Sequence, residues 1–143
     1  MTSVKKRLAQ TDLTELSEPS LSPHDRLDFD AGIELFNNGS YWGAHEAWEA
    51  VWQRKSDNSR IFFQGMIQIA AGMHQLGRGI FHGADKHFRN AFWKLEPFPE
   101  NCLGINVKEL LTNVHLLHSE ILRLGPQRLD KLEYKQPTIK KRS

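Results

Sequence analysis

The chain has 143 residues, 39% of them hydrophobic and 25% charged, and this length suits one domain around one core. Its 19 Lys and Arg against 17 Asp and Glu give a formal net charge of +2, which excludes a whole-protein field for nucleic acid or anionic membranes. A single cysteine, Cys102, excludes an internal disulfide, and without a secretory signal or an apolar run of about 20 residues we expect a cytoplasmic protein with no membrane partner.

The N-terminal third of the chain predicts an arm and two helices. Residues 1–21 mix polar residues with scattered leucines, and we predict a flexible arm in which a short helix can form around residues 4–16. Ser22-Pro23 predicts a helix start, because serine is a favoured cap and proline suits the first helical position. Asn38-Gly39 ends this helix, and a second follows from Tyr41 to about Arg54 with Ser40 as its cap.

The middle of the chain predicts two further helices. The third runs from about Arg60 to Leu76 and carries several glycines and alanines, which permit close approach of a neighbouring helix. This small-residue face could serve a homodimer as well as the core of the chain. The fourth helix covers about Ile80 to Glu96, where prolines end it because they cannot continue the hydrogen-bond ladder.

A fifth helix closes the predicted domain. Asn106 followed by Glu109 resembles a capping box, and a three-four spacing of apolar residues then continues until Gly125. Residues 22–125 therefore form a single predicted helical-bundle domain. The remaining residues, 126–143, are predicted to be a basic C-terminal tail.

The two predicted hairpins are related by a shift of 40 residues. This shift aligns Gly39 with Gly79 at the turn, and aromatic positions follow the same offset, as Trp48 does with Phe88. The pattern is similar to a tetratricopeptide hairpin, although two hairpins are too few for a solenoid. The predicted fold is an all-α five-helix bundle of two pseudo-repeated antiparallel hairpins plus a C-terminal helix.

Residues that form the fold should recur in both hairpins, whereas residues that form a site need not. Three polar residues of the second helix differ from their counterparts: His45, Glu46 and Glu49 correspond to Asp85, Lys86 and Arg89. One interpretation is a functional site in the first hairpin. The alternative is a set of ion pairs between acids of one hairpin and bases of the other.

The spacing of the polar residues suggests several kinds of chemistry. His45 and Glu49 lie four residues apart and so share one helix face. The His-Glu-x-x-Glu pattern lacks the second histidine of a zinc protease, so a divalent metal on His45 and Glu49 is a minor alternative, and we predict no cofactor. Gln64 and Gln68 of the third helix favour a buried hydrogen-bond network with His45 and Glu46.

Two other groups of residues are weaker candidates. His115 and His118 lie three residues apart with no acid to complete a site, and we predict surface histidines. The tail contains Lys135, Lys140, Lys141 and Arg142, which could contact phosphates. At this net charge a solvated run of charges is the preferred interpretation.

The aromatic and polar residues together resemble a known family. The stretch FNxGxYxxAHExWExxW, residues 36–52, followed by FQGMIQxAA, residues 63–71, is similar to the family called Domain of Unknown Function 309. The resemblance spans about residues 24–124. It implies a small all-helical bundle without an established activity and a site at His45, Glu46, Glu49, Gln64 and Gln68.

We predict a module that binds a small molecule or a protein at a polar site between the second and third helices. The predicted ligand-binding residues are Tyr41, Trp42, His45, Glu46, Glu49, Trp52, Gln64, Gln68 and His74, with Trp48 as a further aromatic wall. The principal alternative is a metal-dependent or acid–base hydrolase whose candidate catalytic residues are His45, Glu46 and Glu49. Nucleic-acid binding through the tail is the weakest alternative.

Overall fold

The computed structural model describes residues 16–141 of the chain. Over this range the α-helices are α1 (Pro23–Asn37), α2 (Tyr41–Arg54), α3 (Ile61–Gly77), α4 (Phe81–Leu95) and α5 (Val107–Leu124). A short antiparallel pair, β1 (Asn101–Cys102) and β2 (Ile105–Asn106), joins α4 to α5, and 3-10 turns lie at Asn58–Arg60 and Pro126–Lys131. The all-α bundle is confirmed. None of these helices is long and apolar enough to cross a membrane.

Side-chain caps begin two of the helices. Ser22 Oγ accepts the N–H of Asp25 at 3.0 Å, and Asn106 Oδ1 accepts the N–H of Glu109 at 2.9 Å, as the sequence predicts. Ser40 was expected to cap α2, but its side chain makes no cap hydrogen bond. Its backbone closes the preceding helix instead.

The turns of the two hairpins have the same hydrogen bonds at positions 40 residues apart. In the first, Ser40 N donates to Leu35 O at 2.8 Å and Gly39 has a φ of +83°. In the second, Ile80 N donates to Gln75 O at 2.9 Å and Gly79 has a φ of +73°. Each is a Schellman ending, in which glycine adopts the left-handed conformation without a Cβ penalty.

Within each hairpin an aromatic ring lies directly on the backbone of a glycine. A Cβ built on Gly32 of α1 would lie 2.2 Å from Nε1 of Trp48 on α2. A Cβ on Gly72 of α3 would lie 2.5 Å from Cε1 of Phe88 on α4. In each case the ring occupies the space that a side chain at the glycine position would fill. The two helices of each hairpin can therefore approach closely only because these positions are glycine.

Trp48 anchors the core of the first hairpin. Its side chain is fully buried, and its indole N–H donates to Phe29 O at 3.1 Å. The Trp48 ring lies 6.4 Å from that of Phe29 and 6.0 Å from that of Phe36. The buried polar group is thus satisfied while the ring fills the space between α1 and α2.

The small residues of α3 are used inside the chain. Gly65 is buried against Leu95 of α4, and Gly72 is buried against Phe88. α3 contacts α2 on one side and α4 on the other, which makes it the central helix of the bundle. The face that was considered for a homodimer is therefore covered by α4.

The described terminal segments lie against the bundle. Of the predicted N-terminal arm, residues 1–15 lie outside the described part, together with nearly all of its short helix; Pro19 is buried and Leu21 packs on the core. At the other end Ile139 is 3% exposed and exchanges hydrogen bonds with the Asn37 amide at 2.7 and 3.0 Å. Residues 126–141, which belong to the predicted basic C-terminal tail, form a strap along the bundle.

The histidines of α5 do not both lie at the surface as predicted. His118 is 8% exposed, and its Nε2 lies 2.8 Å from Oδ1 of Asp85 on α4. Burial raises the pKa of Asp85, but hydrogen bonds from Arg89 and His118 outweigh this effect and leave the pKa lowered. Arg89 binds Asp85 within α4, and within residues 16–141 it makes no ion pair with an acid of the first hairpin, which was the alternative interpretation of these residues.

The glycine contacts predict a strong asymmetry between two glycine-to-alanine substitutions in the same helix. Gly72→Ala places a Cβ inside the Phe88 ring, and we expect it to lower the free energy of unfolding by about 1–3 kcal/mol. Gly77→Ala has no atom within 4 Å of the new Cβ, and we expect it to be neutral or stabilising by about 0.4–1 kcal/mol. Urea denaturation followed by circular dichroism measures both, and equal effects would contradict the proposed packing.

Candidate functional site

Four of the predicted site residues meet where α2 faces α3. The Trp42 ring stacks on the His45 imidazole, with a centroid distance of 4.6 Å and an interplanar angle of 7°. His74 of α3 approaches the same indole at 5.3 Å and 44°. We call Trp42, His45, Glu49 and His74 the Trp42 cluster. Trp42, His45 and Glu49 follow one another at steps of three and four residues, so they lie on one face of α2.

The predicted pair of His45 and Glu49 is present but loose. His45 Nδ1 lies 3.5 Å from Glu49 Oε2, which is longer than an ordinary N–H···O hydrogen bond. His45 Nδ1 is a buried atom without a hydrogen-bond partner, although 19% of the side chain is exposed. Glu49 also accepts from the amide of Gln53 at 3.3 Å. The contact between His45 and Glu49 is therefore electrostatic.

Gln68 belongs to a different pair from the predicted network. Its Oε1 lies 2.6 Å from Nδ1 of His87 on α4. Since a carbonyl oxygen can only accept, His87 carries its hydrogen on Nδ1 and keeps the lone pair on Nε2. This arrangement assigns the tautomer of the ring and links α3 to α4 through two polar side chains.

The surroundings of His87 keep it uncharged at neutral pH. Burial is the main cause of its lowered pKa, and the nearby basic side chains Lys86, His45 and Lys94 lower it further. The influence of His45 connects the Gln68 pair to the Trp42 cluster. Polar side chains from α2, α3 and α4 therefore share one electrostatic environment.

The sequence analysis did not identify His87. Its counterpart 40 residues earlier is Ala47, so the comparison of the two hairpins contained the information. His87 is a polar residue that only the second hairpin contains, and this difference is the signal that indicates it.

Two residues predicted for the site lie outside the Trp42 cluster. Glu46 is exposed, and it is rotated about 100° from His45 around α2. Tyr41 packs its ring on Phe36 at 5.1 Å. Burial, with a contribution from Tyr134, raises the pKa of Tyr41 to about 12 against the effect of a Gln136 hydrogen bond, so this phenol faces the C-terminal strap.

The other predicted aromatic and amide residues surround the site without joining the Trp42 cluster. Trp48 lies in the core. Trp52 is half-buried beneath the Arg60 guanidinium at 5.0 Å, and its buried Nε1 has no hydrogen-bond partner. Gln64 lies one turn before Gln68 on α3 and is half-buried.

The side chains of the cluster limit the chemistry that it can perform. In residues 16–141 no group of three or more His, Cys, Asp or Glu side chains is arranged to hold a metal ion. His45 and Glu49 provide one imidazole and one carboxylate. Trp42 provides an aromatic surface of which 52% is exposed. Aromatic and polar recognition is the chemistry that this set offers most directly.

Comparison with known families agrees with the sequence resemblance. Residues 29–87 match a family model described as Domain of unknown function (DUF309), the same family that the sequence resembles. The matched range contains the whole Trp42 cluster and ends at His87. No curated protein matches the chain.

The environment of His87 generates a prediction for its titration. We expect its ring to titrate below the ordinary value of 6.5, with the hydrogen on Nδ1 in the neutral form. Lys86→Gln removes a neighbouring positive charge and should raise the pKa of His87, whereas Lys108→Gln at the exposed start of α5 should leave it unchanged. Nitrogen-15 NMR of the imidazoles measures both values.

The same lowered pKa has a consequence for stability. Between the folded-state pKa and 6.5 the unfolded chain binds a proton that folded His87 does not, so the free energy of unfolding falls as the pH decreases through this window. The contribution of this group is unchanged above 6.5. A wild-type His87 that titrates at or above 6.5 would contradict the described environment.

Proposed function

We propose that the chain is a binding module and that the Trp42 cluster is its recognition surface. One observation carries the proposal: the Trp42 indole is 52% exposed and yet stacks flat on His45. An indole that is half exposed offers apolar area that a bound ligand would remove from water. Tryptophan is also enriched among the residues that dominate binding energy.

The core of the bundle does not require Trp42. Trp48, six residues later and about 120° around α2, fills the space against α1 and is fully buried. The stacking of Trp42 on His45 therefore orders a side chain of the surface and not one of the core. A ring held in place before binding loses little conformational entropy when a ligand arrives, and this increases affinity.

The unpartnered nitrogen of His45 supports the same proposal. A buried polar atom without a hydrogen bond costs about 1–3 kcal/mol, so a group that supplies one stabilises the site. His45 Nδ1 lies beside the indole and 3.5 Å from Glu49 Oε2. A ligand on the Trp42 face that draws Glu49 closer, or that itself reaches this nitrogen, would satisfy it.

The alternatives receive less support from the arrangement of side chains. A hydrolase using His45 and Glu49 would need the carboxylate to orient the imidazole, and their separation of 3.5 Å is too long for a hydrogen bond. Nucleic-acid binding by the tail would need free lysines. Lys140 instead pairs with Glu109 at 2.8 Å, and Lys141 pairs with Glu34 at 3.8 Å.

A fragment screen on the full chain tests the proposed function. We expect ligand-observed NMR to find small polar aromatic compounds that bind the wild type and lose at least about tenfold in affinity with Trp42→Ala. Leu122→Ala is the matched control, since Leu122 is 51% exposed on α5, away from the cluster. Compounds that bind both variants equally, or none that depend on Trp42, would overturn the assignment of this surface.

A further inference from the structure

We propose that the partner of this surface is a cationic segment of another protein, which places lysine or arginine side chains along the outer face of α2. The inference rests on the proposed function, since it assigns a ligand class to the same surface. It follows from the shape of that face, from the pairing of charges across the bundle and from the chemistry of indole.

The outer face of α2 carries a continuous exposed row of side chains. Trp42, Glu46, Glu49 and Gln53 follow one another at steps of three and four residues, and we call them the α2 stripe. Trp42 is 52% exposed, the Glu49 side chain is 42% exposed, and Glu46 is exposed. One aromatic ring and two carboxylates are therefore presented to the same side.

The carboxylates of the α2 stripe differ from all others on the helices. In α1, α4 and α5 every Asp and Glu lies within 4 Å of a lysine or arginine side chain. Within the described chain, Glu46 and Glu49 have no such partner. Among the carboxylates of the helices, Glu46 and Glu49 are therefore the two that a cationic side chain of another protein could pair with.

The basic residues around α2 are directed elsewhere. Arg54, at the end of α2, binds Asp25 at 2.7 Å and Asp28 at 2.5 Å on α1. Arg60 lies over the Trp52 ring and donates to Lys55 O at 3.0 Å. These contacts keep both guanidinium groups away from Glu46 and Glu49.

Indole adds a preference for a positively charged group. A guanidinium or ammonium over an aromatic ring is attracted by the negative face of its π-system, and tryptophan is the strongest of the aromatic residues in this respect. A carboxylate one helical turn away can bind the same cation or its neighbour. Trp42 with Glu46 therefore favours a cationic side chain over a neutral or acidic one.

The length of the α2 stripe favours a peptide segment over a small free cation. Trp42 and Glu49 are seven residues apart, which corresponds to about 10 Å along a helix. An extended peptide covers that distance in about three residues. Two basic residues about three positions apart would thus reach the indole and Glu49 together.

Selection of peptides on the full chain tests this inference. A displayed library of random twelve-residue peptides is selected on the wild type, and the recovered peptides are titrated by fluorescence anisotropy at two salt concentrations. We expect enrichment of arginine and lysine, affinity that falls as salt increases, and at least about tenfold weaker binding to Trp42→Ala.

A pair of matched variants separates local contacts from overall charge. Glu46→Gln with Glu49→Gln should weaken binding by about fivefold or more, since up to two ion pairs are lost. Glu100→Gln with Glu133→Gln removes the same charge at two exposed sites that are outside the α2 stripe, and we expect little change. If both double variants lose a similar amount of peptide affinity, the effect comes from the overall charge of the protein and not from contacts with the α2 stripe, and the proposal is overturned.

The remaining outcomes distinguish the ligand class from the function. Peptides that require Trp42 but show no basic enrichment would overturn the cationic partner and leave the binding module standing. If no peptide that depends on Trp42 is recovered, the proposal of a cationic protein partner is overturned. If the fragment screen also finds no ligand that depends on Trp42, the proposed function is overturned as well.

Discussion

The rest of the first hairpin depends on the packing of the Trp48 ring against the backbone of Gly32. Because Gly32 has no side chain, the indole lies against the backbone of α1, and its N–H reaches Phe29 O at 3.1 Å. This contact sets how far α2 is rotated about its own axis. Once Trp48 points inward, helical geometry determines the direction of every other side chain on α2.

The rotation of α2 separates three tryptophans with different roles. Trp48 faces the core, Trp52 is half-buried at the edge beneath Arg60, and Trp42 is exposed above His45. The sequence alone makes these residues equivalent members of an aromatic wall. In the folded chain one supports the hairpin and another is available to a ligand, although both belong to the same motif.

The second hairpin uses the same packing with a smaller ring and takes a different partner on its outer side. Phe88 replaces Trp48 over Gly72, and Asp85, which corresponds to His45, is covered by α5 through His118. The equivalent face of the first hairpin lies towards α3 and retains an exposed indole and two carboxylates that have no lysine or arginine partner within residues 16–141. A repeated framework thus has one face closed by an added helix and another that remains accessible.

Local interactions explain what could be predicted from the sequence. Ser22 and Asn106 cap their helices with atoms three residues away, and Gly39 and Gly79 end helices through their own backbone conformation, so neighbouring residues contain the necessary information. The sequence also placed Trp42, His45 and Glu49 on one face, because this requires only the helical period.

Only the tertiary structure decided which polar groups meet. Gln68 pairs with His87, 19 residues later, and His118 pairs with Asp85, 33 residues earlier. The strap joins Ile139 to Asn37 across 102 residues. Such pairs depend on how helices are rotated and stacked, and that depends on the summed packing of many side chains. The sequence by itself determined the helices and most of their ends, because these depend on neighbouring residues, whereas long-range packing decided which side chains are covered and which remain exposed.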